Sequence, residues 1–279
     1  MADALYEYNG PAYCEGKSPL AIKNLIADGS RLEIGNCLTS LFMVAFSLYG
    51  LFASNNEQET LVRLLWASLF YTGLGSAIYH GTANSLFASL DGLPMLMIIA
   101  FGLVALFDEI VYEKTNRKYK HYVKNFLALL FMGVFLASIM GEQYGKGTSF
   151  FRVSFAIPLV VFVITMIYVY VRIDDFYDAK KIGVLGYNGD VEIRAGLRSL
   201  IVRAWVSVVI AFGCWLLDLL LCKQSGYALL FGHWVWHILI GYFAVCLITL
   251  LNYLQGNNAG KDVVLIWEWK GIIPRSYYL

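Results

Sequence analysis

Seven stretches of this chain stay apolar for roughly twenty residues at a time, and that pattern leaves few folds open. An α-helix rises about 1.5 Å per residue, so about 20 residues cross the ~30 Å hydrocarbon layer of a bilayer. The stretches fall near 33–54, 60–80, 87–108, 122–140, 151–172, 199–221 and 230–254. The expectation is an all-α fold, a seven-transmembrane-helix bundle. Composition agrees: 15% of the residues are charged, against about 25% in soluble domains. A net charge of +1 gives no footprint for nucleic acid. The opening MADALYEYNGPAYCEGK has neither a basic n-region nor an apolar h-region, so no cleavable signal peptide is expected. Without a linker or repeat, residues 1–279 read as one domain. An arm over 1–32 precedes the bundle and a short tail over 255–279 follows it, with Trp267 and Trp269 at the interface.

Orientation follows from the basic residues. Only the stretch from Gly81 to Leu86 joins the second and third spans, which makes them an antiparallel hairpin. With the N-terminus outside, 15 of the 21 Lys and Arg residues collect on the inner side and 6 on the outer side. The reading is therefore an N-terminus on the lumenal or extracellular side and a cytosolic C-terminus. Residues 173–197 read as a solvated cytosolic loop, and His121 as a surface residue in a basic loop.

This orientation gives the histidines a meaning. In FGHWVWHILIG, at 231–241, His233 and His237 sit four apart, on one face of a helix. Such a pair can hold one divalent metal. His80 closes the second span at its outer end, Ser76 lies one turn below it, and Asp91 opens the third span from the same side. Polar side chains inside a bilayer are costly and face the bundle or a wet cavity, so their shared depth matters. Three imidazoles with an open fourth position make a catalytic zinc arrangement. Zinc lowers the pKa of a bound water to about 7 and polarises a carbonyl. Asp91 is then the available general base, and Ser76 a donor to an oxyanion or to the water. The bland readings are a helix-dipole charge for Asp91 and a back-bond to Thr72 for Ser76. Asp218 reads as interfacial or as supporting the ligands, and stays outside the site. The five cysteines form no CxxC pair, which argues against a thiolate zinc site. Cys37, Cys214 and Cys246 read as buried apolar residues.

SAIYH at 76–80, DGLPM at 91–95 and HWVWHIL at 233–239 resemble the motifs of the alkaline ceramidases, seven-helix zinc hydrolases of a wider membrane-hydrolase superfamily. LEIGNCLTSLFM at 32–43, WLLDLLLC at 215–222 and the Cys14–Glu15 pair extend the resemblance. It implies a lumenal N-terminus, and zinc held by His80, His233 and His237 with Asp91 and Ser76 assisting. It implies hydrolysis of ceramide to a sphingoid base and a fatty acid, in the membrane of the endoplasmic reticulum or Golgi. It also implies a disulfide between Cys14 and Cys222, which an oxidising compartment permits. The family binds calcium near its N-terminus, and Glu15 and Glu33 match that pattern. Ala12 and Lys17 depart from it, and Asp28 is a candidate substitute ligand. Two carboxylates with a lysine between them suit poorly an ion that takes about 6–8 oxygens, so calcium stays open.

The expected partner is a ceramide-like membrane lipid entering sideways between the helices, with no protein partner inferred. Two alternatives share the zinc layer. One is another lipid hydrolase of the superfamily, remodelling acyl chains of glycolipid anchors. The other is a receptor resembling the adiponectin and progestin receptor group, whose N-terminus lies inside.

Overall fold

The computed structural model describes residues 15, 22–23, 31–53, 58, 60–82, 87–115, 125, 147–172, 187–221, 231–259, 261, 263–268 and 271–278. Among these residues are six helices and two antiparallel two-stranded ladders. The elements are β1 (Ile22–Lys23), β2 (Arg31–Leu32), α1 (Ile34–Ala53), α2 (Thr60–Thr82), α3 (Ala88–Thr115), α4 (Gly147–Val171), α5 (Tyr187–Leu221), α6 (Gly232–Asn258), β3 (Val263–Glu268) and β4 (Ile273–Tyr278).

Among the described residues, five helical segments are long and apolar enough to cross a membrane: Ile34–Phe52, Thr60–Thr82, Ala88–Phe107, Ala195–Asp218 and Gly232–Asn257. A shorter apolar helix spans Ile157–Val171 within α4. Helices thus stand at six of the seven expected positions, and the expected span over 122–140 lies, apart from residue 125, outside the described residues. Leu38, Ile164, Val209 and Leu220 are each more than half exposed. Apolar surface of that extent belongs in lipid rather than in water.

One expectation changes. The segment read as a loop up to 197 is helical from Tyr187 onward. Hydropathy marks only the apolar part of that helix, while DVEIRAGLRS before it is polar yet rich in helix formers. The short tail carries a β-hairpin, Val263–Glu268 against Ile273–Tyr278, so a small β element follows the helices.

The chain divides into two compact units. The first comprises Met1–Leu51, Trp66–Met95 and Ala204–Val245; the second comprises Phe52–Leu65, Leu96–Arg203 and Cys246–Leu279.

In the first unit, glycines let helices meet backbone to backbone, the usual device where lipid supplies no hydrophobic drive between helices. A Cβ at Gly73 would lie 2.8 Å from the Val44 nitrogen and 2.9 Å from the Ser40 carbonyl oxygen, so α2 touches the α1 main chain. A Cβ at Gly75 would collide with the Leu90 carbonyl. Pro94, four residues past Leu90 in α3, has no N–H to give that carbonyl. The Gly75 backbone packs against the oxygen that Pro94 leaves exposed, which seats the start of α3 on α2.

In the second unit, Leu103, Leu106, Met166, Leu200, Ile201, Leu247 and Ile248 are nearly inaccessible and form the apolar core. The C-terminal hairpin docks there through polar groups. β3 and β4 pair in register from Val263↔Tyr278 to Glu268↔Ile273. Gly271 turns the chain at φ 84°, a conformation glycine adopts without steric cost. Arg203 donates to the Gly271 carbonyl at 2.6 Å and stacks 4.3 Å over the Trp267 ring. Asn252 donates to the carbonyl and the hydroxyl of Ser276 at 3.1 and 2.9 Å, and Ser276 donates to the Thr249 carbonyl at 3.1 Å.

Candidate metal centre

Every described residue singled out in the sequence as part of the site falls in the first unit. The α2 helix ends in SAIYHGT, which puts His80 in its last turn. The α6 helix starts at Gly232, so His233 and His237 occupy its first two turns. The three rings gather: centroids are 5.1 Å apart for His80–His233, 5.1 Å for His80–His237 and 4.4 Å for His233–His237. One ligand atom from each lies within 4.8 Å of the others, and all three residues are buried. Three buried imidazoles form the donor set suited to a metal with an open position, and the residues present fit a zinc ion or a similar cation.

The α1 helix lines this group with polar side chains. Glu33 is buried, and its Oε2 lies 2.6 Å from His80 Nδ1 and accepts from Asn36 Nδ2 at 2.9 Å. Thr39 Oγ1 and Ser40 Oγ lie 3.0 and 3.2 Å from His237 Nδ1. Ser76 Oγ is 3.0 Å from Ser40 Oγ and 3.4 Å from His237 Nε2. Asp91, in the first turn of α3, hydrogen-bonds to Ser76 and lies within electrostatic reach of His80. The structure thus brings the triad, the serine and the aspartate close together.

The two carboxylates expected around calcium have other partners. Glu33 engages His80 and Asn36 as described. Glu15 caps α1: its Oε1 accepts from Gly35 N–H at 2.6 Å and its Oε2 from Asn36 N–H at 2.9 Å. These are helix N-terminal donors that the helix itself leaves unsatisfied. Glu15 Oε2 also accepts from Trp234 Nε1 at 3.0 Å, which ties α1 to the histidine helix. Ala12, Lys17 and Asp28 lie outside the described residues, as do Cys14 and Cys222 and hence the expected disulfide. Cys37, Cys214 and Cys246 are free thiols.

Sequence reasoning missed two contributors, Thr39 and Ser40, and placed Asp218 outside the site as interfacial or as supporting the ligands. Asp218 is buried and accepts the His233 N–H on Oδ2 at 3.1 Å, capping the helix that carries the pair. Thr39 and Ser40 support His237. Their signal was present: Glu33, Asn36, Ser40 and Ser47 recur at helical spacing along an otherwise apolar helix, and all four are buried.

A family model described as ceramidase matches residues 20–277. The chain belongs to the ceramidase family. Ceramidase membership implies a hydrolase and a lipid as the substrate class. Among curated proteins, the chain is similar to a Dictyostelium discoideum protein named "Putative alkaline ceramidase dcd3A". The two are 26% identical over 245 residues, covering 75% of this chain and 76% of the relative. The match takes in α1 to α6 and most of the hairpin, so the β element lies within the family's extent.

Proposed function

We propose that this ceramidase-family protein is a zinc-dependent amidohydrolase that cleaves the amide of ceramide-like lipids within the membrane. The observation that carries the reading is the buried His80–His233–His237 group, with ligand atoms within 4.8 Å of one another, in a chain that the ceramidase family matches over residues 20–277. The three histidines would hold the ion. Zinc there supplies Lewis acidity and a water that loses its proton near neutral pH.

The other roles belong to this chain's side chains. The Asp91 carboxylate takes the proton of the attacking water and passes it to the leaving amine. A C–O bond to the acyl carbon forms as the C–N bond breaks, leaving a fatty acid and a sphingoid base. The Ser76 hydroxyl, beside Asp91 and close to His237, is released from the carboxylate once Asp91 has taken the proton, and its single hydrogen then turns to the oxygen on which negative charge develops. Acid–base assistance of this kind contributes about 10²–10⁴-fold.

The basic-residue split of 15 to 6 supports a lumenal N-terminus and a lumen-facing site in the endoplasmic reticulum or Golgi. The Cys14–Cys222 disulfide implied by the resemblance belongs to this topology. Membership of the ceramidase family sets aside the receptor alternative. Calcium is not carried into the proposal, because Glu15 and Glu33 spend carboxylate oxygens on N–H donors. The test uses purified protein and ceramide carrying a labelled acyl chain. Release of labelled fatty acid by the parent is expected, with loss of most activity in His233→Ala and Asp91→Ala. Equal release by either variant overturns the mechanism.

A further inference from the structure

We propose that α1, which brings no histidine, selects the ring nitrogen that His80 and His237 turn toward the metal. Glu33, Thr39 and Ser40 are then positioning residues of the centre. The inference rests on reading the triad as a metal site.

A neutral imidazole has one N–H and one lone pair, and the partner of one nitrogen decides the state of the other. At His80 the partner of Nδ1 is Glu33 Oε2 at 2.6 Å. The same oxygen already accepts from Asn36 Nδ2 at 2.9 Å, so it faces the ring as an acceptor; Nδ1 carries the hydrogen and Nε2 keeps the lone pair. At His237 two hydroxyls take the place of the carboxylate. Thr39 has the Gly35 carbonyl for its own proton at 2.8 Å, and Ser40 has the Asn36 carbonyl at 2.7 Å. Both oxygens then turn lone pairs toward His237 Nδ1, at 3.0 and 3.2 Å. Two acceptors beside one nitrogen suit a shared N–H, whereas a ring lone pair takes one donor. Nδ1 of His237 is therefore protonated as well, and Nε2 is its ligand atom.

Spacing along α1 makes this possible. Residues three and four apart share a helix face, and Glu33, Asn36 and Ser40 follow that step. Asn36 bonds Glu33 from one side, and its carbonyl takes the Ser40 proton on the other. One polar stripe thus serves ligands from two different helices. Partners of this kind fix the tautomer and the ring orientation, and their removal typically costs about 10–100-fold in metal affinity.

The test is the zinc Kd of the purified full chain in detergent, by competition with a chromophoric chelator. Thr39→Val combined with Ser40→Ala removes both hydroxyl acceptors at His237, leaving the Asn36 backbone beside the ring, and is expected to weaken zinc about 10–100-fold. Glu33→Leu is expected to do the same at His80. Thr39→Ser keeps a hydroxyl and should bind as the parent does, and Glu33→Gln keeps an acceptor and should recover most of the loss. The visible spectrum of the cobalt-loaded protein is a second readout, and should change in the weakened variants. If Glu33→Leu does not fold, the hydroxyl variants decide. A double hydroxyl variant with the parent's Kd and cobalt spectrum overturns the inference. A parent that binds no zinc overturns the metal-centre reading instead.

Discussion

Glu33 grips His80 twice. Its carboxylate Oε2 meets the imidazole Nδ1 at 2.6 Å, and its backbone N–H donates to the His80 carbonyl at 3.1 Å. One contact orients the ring and the other fixes the main chain beneath it, so the start of α1 and the end of α2 are joined at a candidate ligand. A buried carboxylate is expensive unless its charge is met by hydrogen bonds. Here the donors are the histidine and Asn36, which makes the burial of Glu33 a consequence of the site rather than of general packing.

Metal removal should be visible as lost stability. A ligand that binds only the folded state stabilises it by RT ln(1 + [L]/Kd), about 2.7 kcal/mol at a hundredfold excess over Kd. Stripping the purified protein with a chelator is expected to lower its Tm by several degrees, and added zinc should restore it. His237→Ala should start at the lower Tm and respond to neither treatment. A parent whose Tm ignores both chelator and zinc would count against the metal reading.

Gly75→Ala tests the seating of α3. The added Cβ meets the Leu90 carbonyl, one residue before Asp91. Overpacking of this kind costs about 1–3 kcal/mol. The forced shift moves Ser76 and Asp91 relative to one another, so turnover should fall further than Tm alone accounts for. The comparison is turnover per folded molecule beside a thermal melt. A variant with parental turnover would show that this contact does not position the pair.

Asp218→Ala removes the acceptor for the His233 N–H at the head of α6. Loss of a helix cap costs about 0.5–2 kcal/mol. The freed first turn carries His233, so the stability loss should come with reduced zinc content on metal analysis. Asp218→Asn keeps a capping oxygen and should retain most of both. An alanine variant with full zinc and unchanged Tm would remove Asp218 from the site's support.

What the sequence disclosed and what it withheld divide by the range of the interaction involved. The helices were legible because a bilayer demands long apolar runs, and 60–80 against Thr60–Thr82, or 230–254 against Gly232–Asn258, differ by only a few residues. The triad was legible because few ionisable side chains lie in those runs and orientation put them at one depth. The partners of the triad were not, because Thr39 or Ser40 is an ordinary residue until a histidine from another helix comes to rest on it. Glu33 was tied to calcium by motif, whereas its position places it on His80. The hairpin was missed although VVLIWE carries the β-branched and aromatic residues of a strand. Gly271 punctuates the stretch as a turn residue, while Pro274 is out of keeping with a strand interior. Pro274 has no N–H to give a ladder, yet its carbonyl accepts from Thr249 at 3.4 Å, so it serves the docking of β4 on α6.

That docking gives the last prediction. Ser276 sits at the centre of the polar contacts between β4 and α6, accepting from Asn252 at 2.9 Å and donating to the Thr249 carbonyl at 3.1 Å. Ser276→Ala deletes both bonds and leaves the shape almost unchanged. Each buried hydrogen bond contributes about 0.5–1.5 kcal/mol net, so the variant should lose roughly 2 kcal/mol or somewhat less. None of these residues lies in the unit that holds the histidines. Turnover per folded molecule and zinc Kd should therefore match the parent while Tm falls. Ser276→Thr, which keeps the hydroxyl, should recover part of the loss. If Ser276→Ala melts with the parent, the hairpin is an appendage rather than a component of the helical fold. If turnover falls in step with folded protein, the tail acts through stability alone.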